Sequence, residues 1–81
     1  MQFYYVLDLH GHTCDAGVSQ INTVLSSRSN STILVIHGKG EGVLRRRVRA
    51  YLSGDPRVKK VELGENSLSL GGDGVTVVYT N

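Results

Sequence analysis

The sequence predicts an α/β fold, a βαβαββ two-layer sandwich in which a four-stranded mixed sheet carries two helices. Three observations lead there. Hydrophobic spacing switches between strand-like and helix-like along the chain. Glycine- and serine-rich breakers separate the periodic segments. The resulting order, strand, helix, strand, helix, strand, strand, makes βαβ crossovers in the first half and leaves a closing hairpin for the second.

Tyr4 to Leu9 reads YYVLDL, aromatic, β-branched and aliphatic, and Gly11 breaks it, so it is the first strand. Its alternation puts Asp8 and His10 on the same face. From Thr13 to about Ser27, Cys14, Val18, Ile21 and Leu25 recur at helical spacing. Thr13 is the expected N-cap, with Asp15 favourable in the first turn. Thr32 to Ile36 is a continuous apolar run of strand length, which suits a central strand covered on both faces.

Glycines 38, 40 and 42 make a turn before a second helix, Val43 to Leu52, whose stripe is Leu44, Val48, Tyr51 and Leu52. Gly54 is placed to close that helix in a left-handed conformation, and Pro56 opposes its resumption. Val58 to Leu63 and Val75 to Tyr79 are the last two strands, joined by the Gly/Ser/Asn-rich segment from Gly64 to Gly74.

With 81 residues the chain makes one domain, a single module or the C-terminal piece of something larger. A hydrophobic fraction of 40% with 20% charged residues argues against disorder. Cys14 is the single cysteine, so an intramolecular disulfide is excluded, and no apolar run reaches the length of a membrane span or secretory signal. A cytoplasmic location and no membrane partner are therefore expected. The net charge of +2 and pI near 8.9 say little by themselves. The clustering says more, because four of the nine basic residues are Arg45, Arg46, Arg47 and Arg49.

Strands joined by a βαβ crossover run parallel, and ligands of open α/β sheets bind beyond their C-terminal ends. His10 and His37 end the first two strands, so Asp8, both histidines and the turn His37-Gly38-Lys39-Gly40-Glu41-Gly42 should meet at one end of the sheet. Glycines let the backbone approach a ligand, and a helix start offers free N–H groups to an anion. Lys39 and Arg45 add charge, and Arg49 aligns with Arg45 one turn on while Arg46 flanks them. Neither the Walker A spacing nor the GxGxxG fingerprint is present. Taken singly, these features are often geometric: a strand-end Asp is commonly a cap, and a His before Gly commonly a turn residue.

Together the motifs are specific. Leu7-Asp8-Leu9-His10-Gly11, His37-Gly38-Lys39-Gly40 with Gly42-Val43-Leu44-Arg45, and Gly71-Gly72-Asp73-Gly74-Val75-Thr76 appear in order, and the chain resembles the Smr (small MutS-related) domain family over nearly its whole length. The resemblance implies a βαβαββ sandwich similar to the C-terminal half of a bacterial translation initiation factor. It also implies an endonuclease or nickase acting on DNA or RNA, found alone or attached to MutS-like ATPase domains. By motif position, Asp8 and His10 match the segment implicated in cutting, and His37, Gly38, Lys39 and Gly40 the segment implicated in substrate contact. Many members carry Arg where this chain has His10, and some of those bind without cutting, so His10 favours a competent version.

Cleavage of a phosphodiester needs a base, an acid and positive charge on the phosphoryl oxygens. His10 and His37 are expected to share proton transfer, with Asp8 orienting a histidine, and Gly38, Lys39, Gly40, Gly42, Arg45, Arg46 and Arg49 holding the nucleic acid. On that reading no cofactor or metal is required, and on RNA the 2′-hydroxyl is the nucleophile. The alternative route uses a divalent ion held by Asp8 and Asp73. Two other functions compete: a non-catalytic module binding DNA, RNA or the ribosome within a larger MutS-like ATPase, and a protein-interaction domain with a basic helix.

Overall fold

The computed structural model describes residues 4–66 and 72–81. Its elements are β1 (Tyr4–Asp8), α1 (Cys14–Ser27), β2 (Thr32–Ile36), α2 (Val43–Ser53), β3 (Val58–Leu63) and β4 (Val75–Thr80), with single 3₁₀ turns at Gly64–Asn66 and Gly72–Gly74. This is the expected α/β architecture of four strands and two helices. Gly71 and residues 67–70 of the predicted final connection lie outside the described residues.

The sheet order is β1-β2-β4-β3. β1 and β2 are parallel, ending with Asp8 opposite Ile36, while β4 runs antiparallel to both neighbours, with Val75 opposite Ile36 and Thr76 opposite Leu63. The C-terminal ends of β1, β2 and β3 and the start of β4 therefore share one end of the sheet. The β3–β4 hairpin is present as expected. β4 inserts between β2 and β3, so the second crossover skips one strand.

Both helices cover one face. Leu7, Leu9, Ile33, Val35 and Val78 from the sheet meet Ile21, Val24 and Leu25 of α1 and Val48 and Leu52 of α2. Each such aliphatic side chain removed from water contributes roughly 1.5–3 kcal/mol before chain entropy is counted. Gly17 is what lets the helices close up, since a Cβ there would stand 3.0 Å from Leu44 Cδ1. Thr13 caps α1 as expected: its backbone is extended and its hydroxyl accepts the Ala16 N–H at 3.2 Å.

One expectation is met in part and another corrected. β2 is central, and its face away from the helices is partly covered: Leu34 and Ile36 are half-buried there, while their β4 partners Val77 and Val75 are buried. Gly54 ends α2 with φ −101° and ψ 4°, outside the left-handed region, its N–H reaching back to Tyr51 and Leu52 carbonyls. The tight 3₁₀-like ending makes a left-handed residue unnecessary.

Candidate functional site

The parallel pairing of β1 with β2 brings the first two motifs together. Leu9 N–H donates to the Ile36 carbonyl at 2.7 Å, carrying the pairing one residue past β1. Leu9 is buried, so alternation leaves Asp8 and His10 exposed beside the second motif. The His10 ring lies against Gly38, where a Cβ would be 3.1 Å from His10 Cδ2. Gly38 therefore has two reasons to lack a side chain, this contact and its φ of 83°. Asp8 accepts the His10 backbone N–H at 3.0 Å, so the carboxylate fixes the bend between strand and loop.

The turn after β2 is built from glycines at φ 83° (Gly38), 38° (Gly40) and 83° (Gly42). The last is the N-cap of α2 and offers no side-chain cap. Residues His37 to Arg45 line a cavity of about 220 Å³. Gly38 N–H donates to the Gly74 carbonyl and Gly42 N–H to the Lys39 carbonyl, at 3.0 and 3.1 Å. The expectation that these two glycines donate to a ligand is corrected accordingly. The N–H groups of Lys39, Gly40 and Glu41 and those of residues 43–45 at the start of α2 keep no intramolecular acceptor among the described residues.

The basic residues divide. Arg45 and Arg46 stand over Gly42, whose Cβ would meet Arg45 Nη2 at 2.6 Å and Arg46 Nη1 at 3.0 Å. Lys39 is exposed on the rim. Asp73 of the third motif faces both cations of this group, 3.3 Å from Arg45 Nη1 and 3.9 Å from Lys39 Nζ. The carboxylate suggested as a second metal ligand is therefore partnered by two cations. No group of three or more His, Cys, Asp or Glu side chains arranged for a metal occurs among the described residues.

Arg49 is a correction. It points inward: its fork binds both Glu65 oxygens at 2.7 and 2.8 Å, Nε donates to Thr76 Oγ1 at 2.8 Å, and Nη2 reaches the Val75 carbonyl at 3.1 Å. The spacing of four that aligns it with Arg45 along α2 does hold. What spacing does not reveal is that β4 and the Glu65 turn pack over the second of those positions.

His37 is a further correction. Its side chain is buried, with Nδ1 3.0 Å from the Gly38 carbonyl and Nε2 2.9 Å from Thr76 Oγ1. A carbonyl can only accept, so Nδ1 carries the proton, and Nε2 accepts from the Thr76 hydroxyl. Burial is the largest cause and pushes its pKa below the ordinary histidine value; the hydrogen bond to the Gly38 carbonyl opposes it, the Arg49 and Arg45 charges reinforce it, and Glu65 opposes it least. Both nitrogens are occupied by the protein's own groups, so the ring braces the turn; a shared proton-transfer role with His10 would require breaking one of those bonds. Thr76 and Glu65 were not singled out from the sequence. Thr76 lay within the third motif as a signal; Glu65 had none.

The profile of the Smr domain family matches residues 7–81. The chain is 36% identical over 76 residues to the endonuclease MutS2 of Levilactobacillus brevis, covering 90% of this chain, and 41% identical over 75 residues to that of Pelotomaculum thermopropionicum, covering 89%. It spans 9% of the length of each of these relatives. Among solved structures, the crystal structure of the Smr domain of Thermus thermophilus MutS2 superposes with a TM-score of 0.83 at 32% identity, covering 95% of this chain and 98% of that one.

Proposed function

The chain belongs to the Smr domain family, and from that membership we propose that it is a nuclease module that grips DNA or RNA by the backbone and cuts a phosphodiester bond. The observation that carries the proposal is the meeting of the His10 ring with the Gly38 turn at the C-terminal ends of two parallel strands. A phosphate seated in that turn accepts the free N–H groups of residues 39–41, with the helix start and the charges of Lys39, Arg45 and Arg46 adding to them. Recognition of this kind reads backbone and shape more than base sequence.

His10, the exposed imidazole of the pair, takes the proton of the nucleophile: water, or on RNA the 2′-hydroxyl. Asp8 acts by fixing the His10 backbone. Lys39, an ammonium on the rim, is the candidate donor to the leaving oxygen, and the turn stabilises charge developing on the phosphoryl oxygens. His37 serves as the brace beneath. A divalent ion on Asp8 is the second route to the same cleavage. Linkage to MutS-like ATPase domains is part of the same proposal, supported by relatives named endonuclease MutS2 of which this chain spans 9% of the length; ribosomal RNA falls in the same backbone-reading class.

The competing reading is a binding module that does not cut, favoured by the inward turn of His37, which leaves a single exposed imidazole in the pair. Incubation with labelled DNA and RNA, with magnesium and with EDTA, separates the two. Cutting by the parent chain that His10→Ala abolishes while affinity stays within about twofold supports catalysis. Binding without products under every condition leaves the binding module. Products formed in EDTA argue for the histidine route, and products formed only with magnesium for the ion.

A further inference from the structure

We infer that Arg49, clamped by Glu65, is a positioning residue that holds the phosphate-binding turn in shape through Thr76 and His37, and that it makes no contact with the nucleic acid itself. The inference rests on the nucleic-acid reading above and names how that site is kept assembled.

The connections form one continuous path. Glu65 takes both forks of the Arg49 guanidinium at 2.7 and 2.8 Å. Arg49 Nε donates to Thr76 Oγ1 at 2.8 Å, the Thr76 hydroxyl donates to His37 Nε2 at 2.9 Å, and His37 Nδ1–H donates to the Gly38 carbonyl at 3.0 Å. The path crosses α2, the turn after β3, β4 and the end of β2. Each proton has one direction to go. Arginine only donates, so the Thr76 oxygen must receive from it and give its own proton to His37.

The end of the path matters. Gly38 is the first left-handed residue of the turn, and its carbonyl direction sets the plane of the peptide that carries the Lys39 N–H. From the other side, the Gly74 carbonyl receives the His37 and Gly38 N–H groups at 3.1 and 3.0 Å. Gly38 is thus held at both of its polar groups, N–H and carbonyl, while the N–H groups of residues 39–41 stay open for phosphate. A glycine turn left to itself samples many conformations, and ordering it on binding would cost affinity.

Arg49 has no arm to spare for a ligand. Its side chain is 18% exposed, and all three of its nitrogens have partners. Arg45 and Arg46, four and three positions earlier, stand over Gly42 in the cavity wall instead.

Salt dependence distinguishes positioning from contact. A side chain that neutralises a phosphate contributes about 0.9 to the slope of log affinity against log salt on duplex DNA, whereas a residue that only shapes the site leaves the slope alone. Binding of fluorescent duplex DNA and its RNA counterpart is measured from about 50 to 200 mM salt for the wild-type chain, Arg49→Gln, Glu65→Gln and Thr76→Val. The expected result is a loss of roughly tenfold in affinity for Arg49→Gln, with smaller losses for the other two and an unchanged slope in all. A slope reduced by about 0.9 in Arg49→Gln, or stronger binding by Glu65→Gln as the freed guanidinium reaches a phosphate, overturns the inference. So does unchanged affinity in Arg49→Gln. Should that variant not fold, Glu65→Gln and Thr76→Val carry the same test.

Absence of binding by the wild-type chain sinks the nucleic-acid reading instead. The relay is then judged by nitrogen NMR: Arg49→Gln must alter the His37 ring signals and the amides of residues 38–42. Unaltered signals overturn it.

Discussion

At the scale of single residues, the site depends on side chains that serve as parts of the scaffold. His37→Phe keeps an aromatic ring, a somewhat larger one, but cannot accept from Thr76 or donate to Gly38, leaving the buried Thr76 hydroxyl proton and the Gly38 carbonyl without that partner. We expect a loss of about 1–3 kcal/mol in urea denaturation, with the cavity-lining turn loosened alongside. Gly64 is stricter still. A Cβ there would come within 2.1 Å of the Gly72 carbonyl oxygen and 2.7 Å of the Val75 carbonyl oxygen, and backbone does not yield as a side-chain tip does. Gly64→Ala should cost more than about 3 kcal/mol, read from the same melts; a near-neutral result would mean that the turn after β3 can move away from β4. Neither role follows from the residue's neighbours in sequence. His37 reads as a chemical group because it ends a strand parallel to the one that His10 ends, and only the placement of Thr76 on an adjacent strand shows where its nitrogens go.

At the scale of elements, the sequence was readable where the signal is local. The stripe of Ile21 and Leu25 locates α1, the Thr13 cap marks its start, and Val58 to Leu63 is a strand with the bounds expected. Thr13→Ala should therefore cost about 1 kcal/mol in denaturation, the usual worth of an N-cap. Gly54 misled because glycine after a helix usually signals a left-handed residue. At φ −101° with open space around its Cβ position, it is a glycine that conformation does not demand. Gly54→Ala should stabilise by about 0.4–1 kcal/mol by restricting the unfolded chain, and destabilisation in the melt would restore the original expectation. What stayed hidden is which strands are neighbours. Insertion of β4 between β2 and β3 is a long-range choice, yet it decides that Thr76 meets His37 and that Arg49 turns inward. Motif order could bring Asp8, His10 and the glycine turn to one end of the sheet because parallel pairing of β1 and β2 requires only a crossover. It could not reveal the layer packed beneath them.

At the scale of the whole molecule, charge pairing sets the response to acid. Three groups bind protons less readily in the folded chain than in the unfolded one. Burial, with Arg49 and Arg45 nearby, lowers the His37 pKa from 6.5; hydrogen bonds from the Arg57 side chain and backbone lower Asp55 from 3.8; and the Arg49 hydrogen bond lowers Glu65 from 4.5 to about 2. All three act with one sign. Stability they contribute is complete above the unfolded-state pKa of each and is lost as pH falls toward the folded one. The first loss begins below pH 6.5, from His37, and the second below about pH 4.5, as unfolded carboxylates take up protons that Glu65 and Asp55 refuse in the native state. Urea midpoints measured at steps from pH 8 to pH 3 should therefore be flat at the top, dip first below 6.5 and fall more steeply below 4.5. His37→Phe should remove the upper dip and leave the lower fall, while Glu65→Gln should blunt the lower one. An upper dip that persists in His37→Phe would show that the buried ring is not its source.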